Sequence, residues 1–138
     1  MNIEPITIRA VVRASLSDVW KYWNEPEYIT RWAFASDDWE APRAHNDLRV
    51  GGTFTTRMQA KDGSEGFDFS GTYTDVKEHE HIEYTMDDGR RVKNEFTEMP
   101  EGVEITTTFD PESEHSREMQ EKGWQAILDS FKKFVQSR

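Results

Sequence analysis

One long amphipathic segment ends this chain, and it follows a run of aromatic-rich stretches that alternate like β-strands. Met119, Gly123, Trp124, Ile127, Leu128, Phe131, Phe134 and Val135 recur at steps of one, three and four residues. That spacing is the stripe of an α-helix with one apolar face, which must be buried against something. Gly123 falls on the stripe, although glycine inside a helix costs about 1 kcal/mol relative to alanine. A missing side chain there lets another surface approach closely, or leaves room for something that is not protein.

Upstream, Ile6 to Val12 is alternating and β-branched and reads as a strand. Ser15, with Asp18 three residues on, resembles a capping box and starts a short helix running to about Trp23. Asn24-Glu25-Pro26 breaks that helix, and a second short one, Glu27 to Trp32, follows the proline. The stretch from Phe34 to Asn46, with Trp39 and Pro42, reads as a loop leading into a strand, and Asp47 to Gly52 as a turn. Further strands follow over Thr53–Ala60, Gly66–Val76, Ile82–Met86, Val92–Phe96 and Val103–Phe109. Asp62-Gly63, Lys77 to Glu80, Asp88-Gly89 and Pro100-Glu101-Gly102 supply the turns between them. Asp110-Pro111 suits the start of the final helix, with proline at its first position. This order predicts an α+β domain over 1–138: a curved antiparallel sheet of about six to seven strands, two short helices after the first strand, and a long helix laid across one face.

A helix crossing a curled sheet touches it first at the edges, so the middle must be filled. The side chains expected there are Trp32, Trp39, Phe54, Met58, Phe67, Phe69, Tyr73, Tyr84, Met86, Asn94, Phe96, Trp124, Ile127 and Phe131, with Gly123 among them. Aromatic and methionine walls with a few polar groups are usual in ligand pockets, and the same residues equally suit a filled core. Asn94 shares the inner face of its strand with Val92 and Phe96, so it is the first candidate for orienting a ligand. A buried asparagine satisfied by backbone or water has the same pattern. His45, Arg57, Glu95, Tyr73 and Tyr84 are further polar candidates, and Asp68 is expected to face outward between Phe67 and Phe69.

A net charge of −10 disfavours nucleic acid and anionic membrane surfaces, both of which need basic patches. With no cysteine, disulfides and thiolate chemistry are excluded. The opening MNIEPITIRA lacks the basic start and apolar core of a leader, and no stretch approaches the roughly 20 apolar residues of a membrane span. A cytoplasmic location is expected by elimination. His79-x-His81 is the best metal candidate, and it also suits a solvated turn. Asp37-Asp38 and Asp87-Asp88 are adjacent carboxylates without the facing geometry of an acid/base pair. No catalytic residue, metal or cofactor is assigned.

Several motifs in order resemble one family. Ser15-x-x-x-Val19-Trp20, then Asn24-x-Pro26-Glu27 with Trp32, resemble its first helices. Asp47-Leu48-Arg49-Val50-Gly51-Gly52-Thr53-Phe54 is similar to its most recognisable turn. Gly71-x-Tyr73-x-x-Val76 and Ile82-x-Tyr84-Thr85 resemble its central hairpin, and Gly123-Trp124-x-x-Ile127-Leu128 its closing helix. The chain thus resembles, from about Ile6 to Phe134, the helix-grip fold of the START/Bet v 1-like (SRPBCC) superfamily. Within it the match is to the branch named after the C-terminal domain of the activator of Hsp90 ATPase. The resemblance implies a pocket for a lipid-like, polyketide-like or aromatic small molecule; some superfamily members are cyclases or dehydratases. The Hsp90 activators carry a further N-terminal domain for which this sequence has no room, so an Hsp90-type chaperone is not the expected partner. Binding of a hydrophobic small molecule is the leading expectation. An enzyme using the same pocket and a protein-interaction module are the alternatives, and the oligomeric state is left open.

Overall fold

The computed structural model describes residues 4–138; the first three residues of the stretch read for a leader lie outside the described residues. In chain order the elements are β1 (Ile6–Val12), α1 (Leu16–Asn24), α2 (Pro26–Ile29), β2 (Trp39–Asn46), β3 (Thr53–Ala60), β4 (Gly66–Lys77), β5 (His81–Met86), β6 (Arg91–Met99), β7 (Gly102–Phe109) and α3 (Arg117–Gln136). The seven strands form one sheet in the order β1-β7-β6-β5-β4-β3-β2. Strands β2 to β7 are a meander of antiparallel hairpins, and β1 returns to the far edge to pair with β7, Ile6 opposite Phe109 and Val12 opposite Val103. The sheet curls into a half-barrel around α3, the expected α+β helix-grip arrangement.

Local chemistry accounts for most of the boundaries. Ser15 caps α1, its hydroxyl accepting from the Asp18 amide at 3.2 Å. Pro26 sits in the first turn of α2, where its lack of an N–H is harmless. That helix ends at Ile29, short of the expected Trp32, and turns carry the chain on to Ala33. The Trp32 indole then donates to the Tyr22 carbonyl at 2.9 Å, which locks the ring over α1.

One expectation holds and one needs correction. The loop leading into a strand is found, with the edge strand running from Trp39 to Asn46. Pro42 falls in the register irregularity between Glu40 and Arg43, where a missing ladder donor is tolerated. The final helix starts at Arg117 and not at Asp110-Pro111. Asp110 instead takes the Arg91 amide at 2.9 Å, and Ser116 is the true cap, accepting from the Met119 amide at 3.1 Å. The strap between them is held by Gln120, a buried polar residue on α3. Its amide accepts from the Glu112 N–H at 2.8 Å and donates to the Glu112 and His115 carbonyls at 3.0 and 2.9 Å.

On the apolar stripe of α3, Leu128, Phe131 and Val135 are buried, whereas Met119 is 59% exposed. Phe131 packs edge-on against Trp23 and Trp32, at ring distances of 4.9 and 4.8 Å. Phe96 meets Trp20 and Trp23 at 5.3 and 5.5 Å. With Trp32 from the turn after α2, these rings form a wedge of sheet, α1 and α3 side chains.

Curvature is concentrated in β4. A register shift lies between Tyr73 and Asp75, where one extra residue sharpens the twist. Two residues earlier, Gly71 lets the Phe54 ring lie against the strand; a Cβ there would stand 2.6 Å from the Thr85 carbonyl and 3.1 Å from Phe54 Cε1. Gly71→Ala is therefore expected to destabilise the fold by roughly 1–3 kcal/mol, the usual range for overpacking. Urea denaturation monitored by circular dichroism measures this, and an unchanged midpoint would show that the backbone yields freely at this point.

Candidate functional site

Between the concave face of the sheet and the N-terminal half of α3 lies a cavity of about 660 Å³. Alternation within the strands places its walls: Phe54, Thr56 and Met58 come from β3, Phe67, Phe69 and Tyr73 from β4, Ile82, Tyr84 and Met86 from β5, Asn94 from β6 and Thr107 from β7. Trp32 closes one side, and Gly123, Trp124, Ile127 and Leu128 form the roof. Of the residues expected here from sequence, Trp39, Phe96 and Phe131 do not line the cavity. Phe96 and Phe131 belong to the aromatic wedge, and Trp39 lies on the edge strand 6.1 Å from the Phe67 ring.

The roof is fixed by one ring pair. Trp124 stacks on Phe109 at 4.0 Å with their planes 6° apart, and its edge meets Phe69 at 5.8 Å. Beside it, a Cβ added at Gly123 would have no neighbouring atom within 4 Å. The glycine thus widens the cavity instead of admitting a close backbone contact.

Two polar groupings are built into the walls. In the first, the Tyr73 hydroxyl donates to Asn46 Oδ1. Asn46 Nδ2 donates to the Asn24 carbonyl at 2.7 Å, and Asn24 Nδ2 to the Trp20 carbonyl at 2.9 Å. This chain ties β4 to β2 and α1. In the second, Thr107 and Asn94 face each other across β6 and β7, and the Thr107 hydroxyl donates to Asn94 Oδ1 at 2.7 Å. Tyr84 lines the cavity from the neighbouring strand β5. Burial pushes both Tyr73 and Tyr84 above the ordinary tyrosine value.

The rim is charged. Asp68, Asp87, Asp88, Arg90, Glu112 and His115 border the opening. Ser70 Oγ donates to Asp87 at 2.6 Å and Arg90 Nε to Asp88 at 2.8 Å. Phe67, 47% exposed, and Met119 lie on the same rim, so Phe67 is a lip residue where a fully inward one was expected. Among the other polar candidates, His45 lines the cavity, while Arg57 pairs with Asp68 at 3.6 Å and Glu95 with Lys93 at 3.1 Å. His79 and His81 do not act together. His79 lies edge-on to Trp20 at 5.7 Å, and His81 pairs with Asp75 at 2.8 Å. Asp75, His81 and Glu83 bring ligand-type atoms within 4.8 Å of one another, as do Glu112, Glu114 and His115.

Sequence reading missed Asn24, Asn46, Thr56, Arg90, Thr107 and Gln120 as parts of this region. Thr56 and Thr107 were findable, since each sits at an inward position of an alternating strand; the asparagines and Gln120 carry no local signal, because their partners are distant in sequence.

The family model of the Activator of Hsp90 ATPase homolog 1-like protein matches residues 13–136. Among solved structures, the chain is similar to the AHSA1-like protein from Aeromonas hydrophila, with 44% identity, 96% of this chain and 92% of that one covered, and a TM-score of 0.91. It is also similar to a protein from Cytophaga hutchinsonii, with 51% identity, the same 96% and 92% coverage, and a TM-score of 0.83. A protein from Nitrosomonas europaea shares the fold at 19% identity, with 97% and 95% coverage and a TM-score of 0.82. No curated protein gives a significant match.

The buried tyrosines have a consequence for stability. Above pH 10, the ordinary tyrosine value, the unfolded chain releases protons that the folded chain retains, so stability falls as pH rises. Below that pH both states keep the protons and the contribution is fully present. Tyr84→Phe is expected to flatten the alkaline limb of the stability profile. Urea midpoints measured from pH 8 to 11 test this, and an unaltered limb would mean that Tyr84 ionises as freely in the folded protein as in the unfolded one.

Proposed function

The chain belongs to the Activator of Hsp90 ATPase homolog 1-like family, and from that premise we propose that it binds a hydrophobic or aromatic small molecule, lipid-like or polyketide-like, in the cavity beneath α3. Family membership supports a ligand-binding or Hsp90-related module in general. The observation that carries the narrower reading is the roof: Gly123 faces open space inside a volume of about 660 Å³, within the usual range of roughly 300–1,000 Å³ for small-molecule sites. Aromatic and methionine walls supply contact area without demanding one exact shape.

Turnover in the same pocket has less support. A cyclase or dehydratase needs a group that trades protons near neutral pH. The tyrosines in the cavity are displaced upward and hold theirs, and the carboxylates that line it stand at the rim. A protein-docking role calls for a broad exposed apolar patch. Among the described residues the exposed large hydrophobics are Val50, Phe67 and Met119, and Phe67 and Met119 are lips of the cavity. No helix among the described residues is long and apolar enough to cross a membrane. A single domain over 1–138 and a cytoplasmic location complete the proposal.

Gly123→Leu tests it. The side chain would enter the cavity, so binding of the neutral dye Nile red, followed by fluorescence titration, is expected to weaken about tenfold or more, equivalent to ~1.4 kcal/mol. The melting temperature is expected to hold or rise, because filling a cavity and replacing a helical glycine each contribute about 0.5–2 kcal/mol. Unchanged dye affinity in a folded variant would place binding elsewhere and remove the proposal's main support.

A further inference from the structure

The two tyrosines of the cavity are not equivalent, and their hydrogen bonds show why. The Tyr73 proton is committed, since its hydroxyl donates to Asn46. The Tyr84 hydroxyl has no such acceptor. Asn94 lines the same cavity, and Thr107 donates to Asn94 Oδ1 at 2.7 Å, which leaves the NH₂ end without a partner among the described residues. An amide nitrogen carries two N–H donors and no acceptor. Neither Tyr84 Oη nor Asn94 Nδ2 makes a hydrogen bond to another described residue, so the Tyr84 O–H and the Asn94 N–H groups remain as donors.

Both residues line the cavity, Tyr84 being 8% and Asn94 2% exposed. Among the described residues, no fully buried side-chain nitrogen or oxygen lacks a partner, so these remaining donors reach the open volume itself. The deep polar spot is therefore one of donors. An apolar guest that covers it leaves donors unsatisfied, which is costly in a dry site.

Charge narrows the guest further. Asp68, Asp87, Asp88 and Glu112 surround the opening. The basic groups beside them are already paired, Arg90 with Asp88 at 2.8 Å and His115 with Glu112 at 3.0 Å. An anionic headgroup would pass four carboxylates, and among the described residues His45 is the one basic lining side chain not paired with an acid.

Building on the cavity reading above, we propose that the site selects hydrophobic molecules carrying a neutral carbonyl oxygen, such as a ketone, ester or quinone, which accepts hydrogen bonds from Tyr84 Oη and Asn94 Nδ2. Tyr73 is a structural tie in the same wall. The polar spot thereby orients the guest, while the aromatic walls hold its apolar body.

A matched pair of probes separates the two claims. Deoxybenzoin and bibenzyl differ by a carbonyl in place of a methylene. Titration calorimetry is expected to show the ketone binding about tenfold more tightly, the scale of one or two neutral hydrogen bonds. Its carbonyl stretch in the infrared is expected to shift to lower wavenumber in the complex. Tyr84→Phe should remove most of the preference and the shift, with a circular dichroism spectrum matching the parent to report that the variant is folded. Tyr73→Phe should keep both. Diphenylacetate, with a charged carboxylate, should bind more weakly than the ketone; tighter binding would overturn the preference for a neutral group. If both neutral probes bind equally, or if the shift survives in Tyr84→Phe, the donor assignment fails and the cavity reading stands. If neither binds, both fall.

Discussion

The packing of Phe131 against the contacting pair Trp23 and Trp32 is the contact on which the rest of the structure depends. It props the C-terminal half of α3 on the aromatic wedge built from α1, Trp32 in the turn after α2, and Phe96 of β6. At the other half of the helix, Trp124 rests flat on Phe109. A helix supported at two places over a curled sheet cannot settle into the hollow between them. Interiors are close-packed wherever side chains can reach, so a large cavity persists only where the supports on either side are rigid. The wedge is rigid because its rings are also tied by polar bonds, the Trp32 indole to the Tyr22 carbonyl and Asn24 to the Trp20 carbonyl.

Polar chemistry inside the half-barrel is divided between holding and presenting. Tyr73, Asn46 and Asn24 spend their donors on one another and on backbone carbonyls, joining the edge strand β2 to the helical layer. Thr107 spends its proton on Asn94 and so orients the amide. Fully satisfied groups rigidify a wall, whereas a group left facing the interior volume becomes a demand on whatever enters. The rim has a third role. Its carboxylates sit in water, and its two exposed apolar lips, Phe67 and Met119, make an opening that is charged and greasy at once.

Much of the architecture was legible from periodicity. Period-two runs marked every long strand, and the spacing from Gly123 to Val135 marked the closing helix. The readings that stopped short or failed share a cause. Pro42 and a polar composition left the start of the strand within 34–46 unplaced, because an edge strand with a bulge tolerates both. Pro111 looked like a helix start, yet Asp110 is held by the Arg91 amide and Gln120 grips the strap that follows. In each case a partner distant in the chain overrode the local preference. The same limit applies to the site. Phe96 and Phe131 were assigned to the cavity because alternation and helical spacing reveal which face a residue occupies, and not how far along that face it lies.

What the amino-acid sequence determined by itself was the set of elements, their order and the side of each that turns inward, because those follow from backbone periodicity and from the insolubility of one face. Tertiary structure alone decided where the inward face is packed solid and where it stays open. It also decided that the Tyr73 hydroxyl is bound to Asn46 while Tyr84 lines the open volume. Identical side chains on neighbouring strands acquire different roles through the groups that surround them, and those groups are brought together by the curl of the sheet and the height of one helix.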